Sequence, residues 1–130
     1  GIYPRWKTEL YYDLLARLGV PAKKQISVLL PTVRARLSLA AALAIEPELL
    51  LVDMPEDLDA MGRSELLLGV QEERGDVPTV VATSRPAEVE ALADRVIVFA
   101  RGSVLFQGVP AAFRQDASSL EAAYVQRIRG

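Results

Sequence analysis

With 130 residues, 51% of them hydrophobic, the chain is one domain's worth and long enough to bury a substantial core. It has no cysteine and no histidine, which excludes disulfides, Cys/His zinc sites, thiol nucleophiles and every histidine-based triad. The net charge of −2 gives no ground for general nucleic-acid binding, and no apolar run approaches the about 20 residues that a membrane span needs.

Tyr3-Pro4 reads as extended or turn, and a helical pattern begins at Trp6. Trp6, Leu10, Leu14 and Leu18 share one face with Tyr11 and Leu15 beside it, and Gly19-Val20-Pro21 is a helix stop. Trp6, Tyr11 and Tyr12 are expected to pack rather than to stack on bases. After Lys23 and Lys24, Pro31 suits the first turn of a helix that runs through the alanine-rich stretch Leu37 to Ile45 and ends before Pro47. The branched run Leu49 to Val52 fits a strand buried on both faces, as in a parallel sheet. Asp53 then stands at the strand's carboxyl end, where open α/β sheets place ligand chemistry, although such a carboxylate also suits a cap on the next turn. Pro55 cannot donate to a ladder and ends the strand.

Ala60 to Gly75 reads as a helix with Leu66, Leu67 and Val70 inward and Glu65, Glu72, Glu73 and Arg74 outward. A turn cluster, Gly75 to Pro78, leads into a β-branched strand, Thr79 to Thr83. Ser84-Arg85-Pro86 opens a short helix through Ala93, and a strand, tight turn and strand follow to Gly108 with Gly102 at the turn. Val109-Pro110 starts a short helix through Arg114, and Ser118 or Ser119 caps a last helix with Leu120, Tyr124 and Ile128 on one face. Charge is unevenly laid out: seven Lys/Arg against two Asp/Glu in residues 1–36, three against thirteen in 37–94, and five against two in 95–130. These read as solvated faces.

Several of these stretches together resemble the ATP-binding-cassette (ABC) ATPases. Leu49-Leu50-Leu51-Val52-Asp53 resembles the Walker B strand of that family, and Pro55 to Leu58-Asp59 the loop after it, one residue shorter than usual. Leu29-Leu30-Pro31-Thr32-Val33, then Arg34-Ala35-Arg36-Leu37, stands where the family carries its Leu-Ser-Gly-Gly-type signature and Arg-rich helix. Ala93-Asp94-Arg95-Val96 and the hairpin after it resemble the family's terminal hairpin. The resemblance covers nearly the whole chain but only the second half of a cassette. It implies an α/β fold, a partial P-loop NTPase core of parallel strands flanked by helices, lacking the phosphate-loop strand. A helical subdomain-like segment, 1–46, precedes an α/β core segment, 47–130.

The resemblance also implies that chemistry has been lost. Met54 stands where the family has a general-base glutamate, and Ser84 where it has a switch histidine. At the degenerate signature, made of Leu29, Leu30, Pro31 and Thr32, Leu30 has no hydroxyl and Pro31 no N–H for a phosphate oxygen. The phosphate loop, G-x-x-x-x-G-K-S/T, needs a glycine before a lysine, whereas Lys7, Lys23 and Lys24 follow Trp6, Ala22 and Lys23. No catalytic residue is therefore assigned, and Asp53 is a weak magnesium ligand only when nucleotide is present. The chain alone is expected to hold no cofactor, with ATP and magnesium bound only if a missing half completes the site. Position 1 is Gly rather than Met, which reads as a piece of something longer. Without the phosphate-loop strand, strands 79–83 and 95–100 are expected to face a vacant slot, filled from upstream sequence, by a second copy or by rearrangement.

The expected function is a non-hydrolysing ABC-type cassette segment, a subunit or regulatory half of a transporter. One alternative is a fragment of an active transporter ATPase with Glu56 or Asp57 as substitute base. Another is a dimerisation or scaffold module whose basic first third contacts an acidic or membrane-bound partner. The partners implied are a second cassette, as a homo- or heterodimer, and a transmembrane transporter subunit, with no nucleic acid. The place implied is cytoplasmic, peripheral at the inner face of the membrane.

Overall fold

A computed structural model describes residues 3–129, and the chain forms two compact units, Gly1–Ala82 and Thr83–Gly130. The sequence division at 46/47 followed motif position, whereas in the first unit the helices before it and the strands after it share one core.

That unit runs α1 (Thr8–Arg17), α2 (Pro31–Ala44), β1 (Leu50–Asp53), α3 (Ala60–Glu73) and β2 (Thr79–Ala82). Helix α1 starts at Thr8 rather than Trp6, whose ring stays 37% exposed and lies 4.9 Å from Tyr11. The Lys7 N–H donates to the Ala44 carbonyl, so the start of α1 adjoins the end of α2 and the two helices form an antiparallel hairpin. Pro31 sits in the first turn of α2, where its missing N–H costs nothing, and the helix stops before Pro47 as expected. Leu14, Leu15 and Leu18 pack with Leu39, Ala40 and Leu43, and with Leu66, Leu67 and Val70 of α3. The Arg17 guanidinium meets both carboxylate oxygens of Glu73, at 2.9 and 3.1 Å, tying the last turn of α1 to that of α3.

Strands β1 and β2 pair in parallel, Leu50 with Thr79 through Asp53 with Ala82. The expectation that β1 is buried on both faces is corrected. Leu50 is buried and Val52 half-buried against the helices, whereas Leu51 is 69% and its partner Val80 55% exposed. The three helices cover one face only. Neither β1 nor β2 has a further partner among the described residues, so an open edge remains as anticipated.

The second unit contains β3 (Val96–Ala100), β4 (Ser103–Gly108), α4 (Pro110–Arg114) and α5 (Leu120–Arg129). Arg101 and Gly102, both at positive φ, make the two-residue turn of the antiparallel hairpin. The helix anticipated from Ser84 to Ala93 is a single 3-10 turn, Pro86–Glu88, followed by irregular turns. The Ser119 hydroxyl accepts from the Ala122 N–H and caps α5. Phe113, Leu120 and Ala123 form a small core with Val98 and Phe106, and the Arg127 guanidinium lies 4.5 Å over the Phe113 ring.

Gly62, in the first turn of α3, is required by close packing. A Cβ there would lie 2.6 Å from Thr32 Cγ2 at the start of α2. Gly62→Ala is expected to lower unfolding free energy by about 1–3 kcal/mol through overpacking, measured by urea denaturation.

Candidate functional site

The period-two alternation of β1 decides what its carboxyl end presents. Leu50, Val52 and then Met54 turn toward the helices, while Leu51 and Asp53 turn outward. The Met54 N–H donates to the Ala82 carbonyl at 3.0 Å, extending the ladder one residue past the strand. Its side chain is 3% exposed and packs within the main core. Position 54 is therefore a core position, and a thioether suits it.

Asp53 is exposed, and no side-chain hydrogen bond or ion pair falls on it among the described residues. It does not cap the following turn. That role belongs to Asp59, whose Oδ1 accepts from the Gly62 N–H at 2.7 Å. Glu56 and Asp57 are exposed in the loop between.

The four residues of the degenerate signature separate by environment. Leu29 is 8% exposed, Leu30 is 69% exposed, Pro31 opens α2, and Thr32 turns its methyl toward Gly62. Leu30 is the residue preceding α2 and supplies no side-chain cap. Ser84 is exposed, two residues past the end of β2 and within the second unit. Its turn is held by its neighbour: the Thr83 hydroxyl accepts from the Arg85 N–H and donates to Glu88.

Sequence reasoning missed Arg63, the one buried charged side chain among the described residues. Its Nη1 donates to the Pro55 carbonyl at 2.6 Å, fixing the loop after β1. The signal was present in the spacing, because Arg63 falls on the same helical face as Leu66, Leu67 and Val70.

A magnesium triphosphate, the group that the resemblance implies, calls for several phosphate donors and a magnesium ligand. Asp53 is a lone outward carboxylate, Leu30 has no hydroxyl, Pro31 has no N–H, and no lysine follows a glycine. Among the described residues no group of three acidic side chains is placed to hold a metal. These donors do not fit the group.

Comparison with known proteins gives the architecture its place. No family model matches the chain. It is 38% identical over 120 residues to a sulfate/thiosulfate import ATP-binding protein CysA 2 of Chromobacterium violaceum, a match spanning 87% of the chain and 32% of that relative. It is 33% identical over 120 residues to the phosphonates import ATP-binding protein PhnC of Nitratidesulfovibrio vulgaris, spanning 88% and 45%. A cobalt import ATP-binding protein CbiO of Rhodobacter capsulatus is 38% identical over 89 residues, spanning 67% and 32%. Among solved structures, cbiO1 from Clostridium perfringens, part of the ABC transporter complex cbiONQ, superimposes with a TM-score of 0.67 at 26% identity over 93% of this chain and 48% of that one. The fold is that of part of an ABC-type ATPase cassette. A metal-chelate type ABC transporter in an inward-facing conformation shows the same likeness, with a TM-score of 0.71 over 90% of this chain and 48% of that one. The chain thus spans less than half the length of the relatives and structures it matches.

Two substitutions probe this site. Met54→Glu places a carboxyl group in the core, where burial raises its pKa above that of the unfolded chain. The folded state then holds the proton more tightly, so the variant loses stability as pH rises past the ordinary carboxyl range. Urea melts at pH 8 should show a deficit of about 3 kcal/mol or more that shrinks toward pH 4.5. Arg63→Ala should cost about 2–3 kcal/mol by leaving the Pro55 carbonyl without its charged donor.

Proposed function

We propose that the chain is a non-hydrolysing ABC-type cassette segment that serves as a subunit or regulatory half of a transporter. The burial of Met54 carries this reading. The residue after the strand carboxylate is a thioether packed into the core, so it offers a water molecule neither a base nor exposure. Loss of a general base lowers a rate by about 10²–10⁴-fold. Ser84 in place of a switch histidine, and Leu30-Pro31 in place of a hydroxyl and an amide, remove further contacts to a phosphate. Association with a second cassette and a membrane subunit is supported by the similar cbiO1 protein, which is part of the complex cbiONQ. In this reading the segment works peripherally at the cytoplasmic side of that subunit.

A specific observation favours a second reading. The outward row of Leu49, Leu51 and Val80 is an uncovered parallel-sheet face, and the matched structures extend well beyond the part this chain covers. A complementary portion with a phosphate loop would cover that face. Asp53 would then hold magnesium, with Glu56 or Asp57 as the base.

Calorimetric titration of the chain with Mg-ATP should show no saturable binding below the millimolar range, and tight binding would refute the first reading. Phosphate release should stay at background when the chain is mixed with the phosphate-loop portion of one of its relatives. Turnover that depends on Asp53 would establish the second reading.

A further inference from the structure

We propose that the outer face of α3, where Met61 and Leu68 stand exposed beside Glu65 and Glu72, docks a cationic amphipathic helix of a partner protein. The surface lies away from the nucleotide-related positions, and the inference holds whether or not the segment hydrolyses ATP. The inner face of α3 is closed by Arg63, Leu66, Leu67 and Val70. On the opposite face Met61 and Leu68 remain 72% and 52% exposed. They lie seven residues apart, so they project along one line about 10 Å from each other. Each is followed four positions later by an exposed glutamate, Glu65 and Glu72. An apolar residue and a glutamate repeating at heptad spacing form the pattern with which one helix receives another, the charges selecting the partner.

The charge around this face limits what can sit on it. From Pro47 to Ser84 the chain carries nine Asp/Glu against Arg63 and Arg74 alone. Neither arginine neutralises the face: Arg63 is buried and donates to the Pro55 carbonyl, and Arg74 donates to the Val77 carbonyl. Glu73 is taken by Arg17, but among the described residues no ion pair falls on Glu65 or Glu72. An acidic field repels anionic headgroups and nucleic-acid phosphates. Among the described residues no group of three acidic side chains is placed to hold a metal ion. A second copy presenting the same face would set glutamate against glutamate. The layer missing from β1 and β2 belongs to the bare side of the sheet, whereas α3 packs on the covered side, so that layer leaves this face open. A helix with aliphatic side chains at the same spacing, and Lys or Arg facing the two glutamates, is complementary in both respects. With two apolar anchors the contact is weak and sensitive to salt.

Fluorescence anisotropy of a labelled probe peptide, with leucine at heptad positions a and d and lysine at e and g, tests this on the full chain. Binding should saturate at low salt and be released at high salt, and the same peptide with glutamate at e and g should not bind. Met61→Ser with Leu68→Ser should weaken binding about tenfold. Glu65→Lys with Glu72→Lys should weaken it about tenfold or more. All four sites are exposed, so the circular dichroism spectrum should not change. Glu9→Lys with Asp13→Lys makes the same charge change on exposed positions of α1 and should leave binding unaltered. No binding of the lysine peptide overturns the proposal, as does equal binding of the glutamate peptide. Equal loss from the α1 variant would show general attraction to an acidic protein and overturn it too. So would sedimentation equilibrium in which the chain doubles its mass and Met61→Ser with Leu68→Ser restores the monomer, since the occupant would then be a second copy.

Discussion

The parallel ladder from Leu50 to Met54 and from Thr79 to Ala82 is the constraint on which the first unit depends. Its register places Leu50 opposite Thr79, and the Met54 N–H closes it on the Ala82 carbonyl. A one-residue slip would turn Leu50, Val52 and Met54 outward and send Leu51 and Asp53 into the helices. Burying an unpaired carboxylate costs far more than exposing a leucine, so the register is strongly specified. The chemistry of the strand's end follows from it, with an exposed Asp53 beside a buried Met54.

A small set of close contacts holds the rest of that end in place. Arg63 reaches from inside α3 to the Pro55 carbonyl, Asp59 caps the helix, and Gly62 lets α3 approach Thr32. The loop after the strand is thus fixed by groups that bond to backbone or pack. Thr32, at the start of α2, contributes a methyl group to helix packing.

The same unit leaves two apolar surfaces open, of opposite surroundings. The outward face of β1 and β2 is a row of branched side chains ending at Asp53, the geometry of a sheet that lacks its second layer. The hairpin tip is aliphatic with lysines and an arginine beside it. Covering the first calls for another layer of structure. The two are physically independent, since one follows from a missing layer and the other from an acid-free stretch.

The order of elements, the ends of α2 at Pro31 and Pro47, the hairpin turn at Gly102 and the likeness to a cassette were all legible in the sequence, because proline, glycine and apolar periodicity act locally. So was the absence of hydroxyl, amide and imidazole at positions 30, 31 and 84, which is a matter of residue type alone. Tertiary structure decided what depends on which face meets another element. It left the outer face of β1 bare, put Met54 in the core, gave the cap to Asp59 rather than Asp53, and buried Arg63. Burial is a property of the partner surface as much as of the side chain, and a periodic pattern names an inward face without saying whether the outward one is covered.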